Sequence, residues 1–294
     1  MNHPATPATP ALPRWADLCH SDFAALDPAR TVALLPLAAI EQHGPHLPLS
    51  VDADLLEGVL AAAAPHLAVA SKQLGADWPV YVLPTQAVGY SSEHQRFAGT
   101  LTLEPETVLR LWLELGASVA RAGVRKLLLF NGHGGHNGLL EVAARELRGR
   151  CGLLVYGASW FNLPLLDARG QDLLERLSPE ERRFGIHAGQ IETAMMLALR
   201  PHLVRMAQAR HFHSSAQERA LRWPILGNGR SAKLGWQMQD YHPEGAVGNA
   251  AAADAALGHE LLQAAGRSLA ELLRELCQLP LATLRPEPAA PPQA

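Results

Sequence analysis

A chain of 294 residues, 48% hydrophobic and 18% charged with a formal net charge of -3, can bury a substantial core and lacks the basic surplus that a nucleic-acid partner requires. His, Gly, Pro and Arg break the apolar stretches short of the roughly 20 residues of a bilayer span, so no membrane partner is expected. Three scattered cysteines, Cys19, Cys151 and Cys277, argue against a disulfide framework and for a reducing, cytoplasmic compartment.

The opening MNHPATPATPALP lacks the basic start and apolar run of a secretory leader and reads as a flexible arm over residues 1–10. TVALLPLAAI, from Thr31 to Ile40, is a short apolar run of the kind a strand buried on both faces shows, and an Ala/Leu-rich helical pattern follows from Asp54 to about Lys72. Val80 to Pro84 is a second strand candidate. From Leu103 a helix places Val108, Leu111, Trp112, Leu115 and Val119 on one face, with Pro105 in its first turn and Gly123 at its stop. Lys126 to Phe130 is a third strand, followed by a Gly-rich loop and a helix from Leu139 to about Arg148, then a strand from Leu153 to Ala158 and a helix from Ile191 to Leu199.

This alternation predicts an α/β fold, a mostly parallel sheet flanked by helices on both faces, with ligand-binding loops at the C-terminal ends of the strands. Residues 209–244 keep neither period and read as loops or a small excursion that encloses a pocket or meets another subunit. Asn249 to about Cys277 reads as one long helix, with kinks expected near Gly258 or Gly266. The partition is a single domain over 11–278 and a disordered Pro-rich tail over 279–294.

Four polar clusters lie beyond strand ends. In IEQHGPHLPLSVD, Glu41, His43 and Asp52 bring oxygen and nitrogen donors suited to a divalent ion, or form a polar loop with stacked histidines. In NGHGGHNG, His133 sits among glycines that let backbone approach a ligand; metal binding, catalysis, phosphate binding and a plain turn remain open. In GIHAGQIET, Glu192 falls near a helix N-terminus and His187 on the loop that enters it. In GYSSEHQRFAGT, Glu93 and His94 are candidate neighbours of a metal or substrate. Arg96 and Arg183 are candidate anchors for an anionic substrate, or surface arginines. No Gly-x-Ser-x-Gly elbow supports a serine nucleophile.

These motifs, IEQHGPHLPLSVD, GYSSEHQRFAGTLTL, LLLFNGHGGHNG and HAGQIETAMML in that order, resemble the creatininase (creatinine amidohydrolase) family over residues 31–200, with a weaker match beyond Gly248. The resemblance implies a three-layer sandwich and a homo-oligomer, with a hexamer among the expected forms. It also implies two divalent ions per subunit, zinc first with manganese or iron as alternatives. Glu41, Asp52 and His133 would hold one ion, and His43 with the shared Asp52 the second. Creatinine hydrolases take a further ligand from a glutamate two residues after the metal-binding histidine; here that position is Gly135, and the resemblance to Gly-Gly members points to Glu192 instead.

Such members include enzymes acting on formamides and proteins that trim a peptide in redox-cofactor maturation. The additional His136 is expected to perturb loop register. Arg183 stands where creatinine hydrolases carry a tryptophan, which argues against creatinine itself. The implied activity is hydrolysis of a cyclic amide, formamide or other non-peptide C–N bond of a small molecule. His187 would carry protons, and Glu93, His94 and Trp160 would line the substrate. The rivals are a cyclohydrolase or phosphoester hydrolase using the same ligands, and a metal-binding maturation partner without broad amidase activity.

Overall fold

The computed structural model describes residues 11–75 and 77–285. Four parallel strands, β1 (Val32–Leu37), β2 (Val80–Val82), β3 (Lys126–Asn131) and β4 (Leu154–Ser159), form one sheet in the order β2-β1-β3-β4. Val32 pairs with both Val80 and Lys126, and Lys126 with Leu154, so the strands start level and end along one edge. Every residue of β1 and β3 is buried, which is why β1 and the Leu127–Phe130 centre of β3 read as apolar runs.

Alternate side chains supply two cores. Val32, Leu34, Leu128 and Phe130 pack beneath α1 (Val51–Leu74), α5 (Gln190–Leu199) and α7 (Ala255–Gln278). Ala33, Leu35, Leu127 and Leu129 pack beneath α2 (Pro105–Arg121) and α3 (Asn137–Cys151), whose Val108, Trp112, Leu140 and Leu147 face the sheet. The expected sheet with helices on both faces is what forms. Among the described residues, α1 is the one helix long and apolar enough by composition to cross a bilayer; here its apolar side chains enter the core under α7.

Two expectations about the last helix are corrected. It begins at Ala255, not Asn249, because Gly248–Asn249 (β6) pairs antiparallel with His211–Phe212 (β5), and the Asp254 carboxylate then accepts from Leu257 N–H as the cap. Its glycines serve as contact points rather than kinks: a Cβ on Gly258 would lie 1.9 Å from Ala194 O on α5, and one on Gly266 2.6 Å from Ala62 on α1. The buried Lys126 Nζ donates to the carbonyls of Leu276 (2.7 Å) and Cys277 (3.0 Å), tying β3 to the electronegative end of α7.

The expected disordered tail is corrected over its first residues. Leu281–Thr283 forms a 3₁₀ turn, and Leu279, Leu281 and Leu284 lie against the core, because they cover apolar surface that α7 leaves open. The remainder of that expectation, and the arm over residues 1–10, fall outside the described residues. Between α5 and α7 the excursion over 209–244 is mostly irregular, with β5 and the short α6 (Ala216–Arg222); α4 (Pro179–Phe184) precedes the HAG loop.

The glycines give a stability test. Gly149→Ala, in α3 with open space around it, should stabilise the protein by up to about 1 kcal/mol through helix propensity. Gly258→Ala should cost about 1–3 kcal/mol by overpacking despite the same propensity gain. Paired urea titrations check the opposite signs.

Candidate metal centre

The residues of the clusters come together just beyond the sheet edge. Glu41 and His43 follow Ile40, which bridges Leu101, and Glu41 N–H donates to Leu49 O (3.0 Å), closing the loop that delivers Asp52 into the first turn of α1. Gly44 at φ 68° makes the turn, and a Cβ there would meet Ala246 at 2.8 Å. His133 leaves β3 braced by Asn131, whose side chain accepts from His133 N–H (3.1 Å) and donates to His133 O (2.7 Å). Ala188, buried at φ 54°, holds a backbone conformation that L-residues rarely adopt, and its N–H donates to Glu192 Oε2 (2.5 Å).

Three imidazoles share one design. His43 Nδ1 meets Glu41 O (3.1 Å), His133 Nε2 meets Tyr90 O (3.0 Å) and His187 Nε2 meets Gln42 O (2.8 Å). A carbonyl only accepts, so each of these nitrogens carries a proton and the other ring nitrogen faces inward. The free nitrogens converge on carboxylates. His133 Nδ1 lies 3.2 Å from Glu41 Oε2 and 3.2 Å from Asp52 Oδ2, His43 Nε2 lies 3.4 Å from Asp52 Oδ1 and 4.0 Å from Glu192 Oε2, and His187 Nδ1 lies 3.8 Å from Glu41 Oε1.

This donor set fits divalent cations. Glu41 Oε2, Asp52 Oδ2 and His43 Nε2 are buried with no hydrogen-bond partner, an arrangement costly for protein alone. With metal–ligand bonds of about 2.0–2.2 Å, neighbouring corners of a tetrahedron lie about 3.3–3.6 Å apart, close to the observed contacts. Glu41, Asp52 and His133 form one group with donor atoms mutually within 4.8 Å, and His43, His187 and Glu192 form another. Asp52 turns one oxygen toward each group.

Charge follows from that crowding. Burial opposes a proton on His43, but Asp52, backed by Glu192 and Glu41, overrides it and lifts the imidazole to about 9. Burial likewise opposes charge on His133, and Glu41, Asp52 and Glu93 outweigh it, holding the pKa well above the usual range. Burial pushes the Glu192 carboxyl up to about 7 against the pull of His43. Burial, with His43 and His94 close by, keeps His187 neutral.

Glu93 lies beside the first group, with Oε1 3.4 Å from His133 Nε2. A Cβ at Gly135 would stand 2.1 Å from that oxygen and 2.4 Å from His133 Nε2, so the glutamate absent at 135 has its space filled by Glu93. Gln42, which the sequence reading missed, fixes two histidines. Its Oε1 accepts from Gly44 N–H (3.0 Å), so its amide nitrogen donates to His94 Nδ1 (2.7 Å) while its carbonyl holds His187. His94 therefore aims a protonated Nε2 at Glu41 Oε1, 3.3 Å away, as an orienting donor. The only sequence signal was the position of Gln42 between Glu41 and His43.

Two expectations are corrected. Trp160 does not line the centre: it is 2% exposed in the core under α7, because the chain leaving β4 turns inward through the 3₁₀ turn Trp160–Asn162. His136 anchors the loop instead of disturbing it, its Nδ1 donating to Asn131 Oδ1 (3.0 Å) and its Nε2 accepting from Tyr90 N–H (3.1 Å).

A parallel α/β sandwich with this carboxylate–imidazole cluster at its strand ends defines a metal-binding hydrolase class. Residues 16–273 match the family model described as "Creatininase: Creatinine amidohydrolase", and the chain belongs to that family. It is 35% identical over 173 residues to a protein of Mycobacterium ulcerans (strain Agy99) described as "Mycofactocin precursor peptide peptidase", covering 58% of this chain and 59% of that one. It is 31% identical over 188 residues to "Creatinine amidohydrolase" of Pseudomonas putida, covering 59% of this chain and 66% of the relative. The match thus spans less than two thirds of each of these relatives. A solved structure described as "Creatininase Mn" shares the fold with a TM-score of 0.66 at 23% identity, covering 90% of this chain and 98% of its own.

Because His43 and His133 hold protons at neutral pH in the ion-free protein, loading with a divalent ion should release protons, and apparent affinity should rise with pH up to about 9. Titration calorimetry in buffers of different ionisation enthalpy reads this directly. Gly135→Ala should weaken metal binding about 10–100-fold by displacing Glu93 and His133, measured by competition with a chromogenic chelator.

Proposed function

We propose that this chain is a metal-dependent amidohydrolase that cleaves a cyclic amide, formamide or other non-peptide C–N bond of a small molecule. The observation that carries this reading is the convergence of the inward-facing nitrogens of His43, His133 and His187 upon Glu41, Asp52 and Glu192, where Glu41 Oε2 and Asp52 Oδ2 are buried with no hydrogen-bond partner. When bound, two divalent cations, zinc first with manganese or iron as alternatives, would make a solvent molecule acidic enough to ionise near neutral pH and would polarise the carbonyl under attack.

The protein's own groups supply geometry and proton handling. Glu41, Asp52 and His133 would hold one cation, and His43, Asp52 and Glu192 the other, with Asp52 between them setting their separation. His187 is neutral, its Nε2–H is fixed on Gln42 O and its Nδ1 is free, so it can accept a proton at Nδ1 and return it to the leaving nitrogen. Glu93 and His94 act one step back, holding His133 and Glu41 at their angles. The excursion over 209–244 forms the substrate wall that Trp160 does not.

A second reading, hydrolysis of a peptide amide, is favoured by the 35% identity to a mycofactocin precursor peptide peptidase. Amine release from a panel of formamides, lactams and short peptides distinguishes the two by which members turn over. Asp52→Ala should lose bound metal, whereas His187→Ala should keep it and lower kcat about 10²–10⁴-fold. Equal loss of metal in both variants, or no amine release from any member by metal-replete protein, would sink the assignment.

A further inference from the structure

A cavity of about 410 Å³ lies under the 209–244 excursion, and four of its lining side chains are cations: Arg183, Arg219, Arg230 and Lys233, beside the rings of Trp236 and Tyr241. No acidic residue lines it. Among the described residues none of the four cations comes within 4.0 Å of a carboxylate, although the chain as a whole carries a formal net charge of -3.

Four acids on the surrounding elements are turned to other partners, and Glu218 on α6 is exposed and outside the lining. Glu180 meets His211, His213 and Gln217; Glu181 accepts from Gln190 and Asn249 N–H; Asp240 accepts from Gln237 N–H; Glu244 pairs with Arg210. The cations are held in place by neutral groups. Arg183 donates to Gly227 O (3.2 Å), Lys233 to Gly229 O (3.1 Å) and Arg219 to Ser215 Oγ (2.9 Å). Arg219 also lies 4.9 Å over the Tyr241 ring, and its Nη2 is buried with no acceptor at all. A buried donor left unpaired beside three further uncompensated cations calls for an anionic acceptor.

The cavity adjoins the metal centre. Trp236 stands edge-on to His94 with ring centroids 6.3 Å apart, and the lining residues Phe184 and Ile186 lead directly into His187. We infer that this cavity binds the anionic end, a carboxylate or phosphate, of the amide whose C–N bond the metal centre cleaves, with an apolar segment of that substrate against Trp236 and Ile186. The assignment of the ligand as substrate rests on the amidohydrolase reading; the anion site itself does not.

Calorimetric binding of three probes to the full chain tests it: N-formyl-L-phenylalanine, its neutral carboxamide, and phenyl phosphate. Wild-type protein and Asp52→Ala should both bind the better of the two anions about tenfold or more tightly than the carboxamide, a preference weakened by 0.5 M salt, where the Debye length falls to about 4 Å from about 30 Å at 0.01 M. Whichever anion binds more tightly identifies the headgroup. The exposed pair Arg183→Gln/Lys233→Gln should bring the preference below about threefold without disturbing the fold, and Arg219→Gln should weaken it further. Equal binding of charged and neutral probes, or a preference that survives removal of all four cations, overturns the inference. Anion preference retained in a protein that releases no amine from any substrate would instead keep the cavity and discard the amidohydrolase reading.

Discussion

Two buried carboxylates, Glu41 and Asp52, and the mostly buried Glu192 gather at the end of a parallel sheet, and that crowding of carboxylates is the constraint on which the rest of the site depends. Without positive charge among them the arrangement is expensive. Protons on His43 and His133 relieve it in the ion-free protein, and divalent ions held by these carboxylates and imidazoles would supply positive charge in their place. The backbone makes that exchange orderly. By giving each histidine one carbonyl to donate to, it settles which nitrogen faces inward before any ligand arrives.

The supports around the centre explain residues that would otherwise look incidental. Glu93 needs the missing side chain of Gly135, Gln42 needs Gly44 N–H to hold its amide the right way round, and Ala188 accepts a left-handed backbone to point its N–H at Glu192. Glu93 is an acceptor beside His133, the Gln42 amide orients His94 toward Glu41, and the Ala188 N–H donates to Glu192. Glu93, on the loop after β2, thus occupies the space that a side chain at 135 would take. Arg183 and its neighbours give the excursion over 209–244 a positive wall next to His94 and His187.

Much of the scaffold was legible because β1 and the centre of β3 are buried on both faces and therefore read as apolar runs, while α2 announces itself through Val108, Trp112 and Val119. The start of α7 was not. Asn249 to Ala253 is as Ala-rich as the helix itself, and only the pairing of β5 with β6 and the Asp254 cap exclude it. Gly258 and Gly266 were ambiguous for a similar reason, since a glycine that kinks a helix and one that admits a neighbouring helix are identical in sequence.

By itself the sequence determined the order of the main-sheet strands and the long helices between them and marked Glu41, His43, Asp52, His133 and His187 as polar candidates beyond strand ends, with Glu192 added as a ligand through the family resemblance, because apolar periodicity and chemically distinctive residues are local properties of the chain. Only the tertiary structure decided which nitrogen of each histidine faces inward, that Glu93 fills the place above Gly135, that Trp160 belongs to the core, and that four cations from separate segments line one cavity. Those outcomes depend on distances between residues far apart along the chain, and no local pattern encodes them.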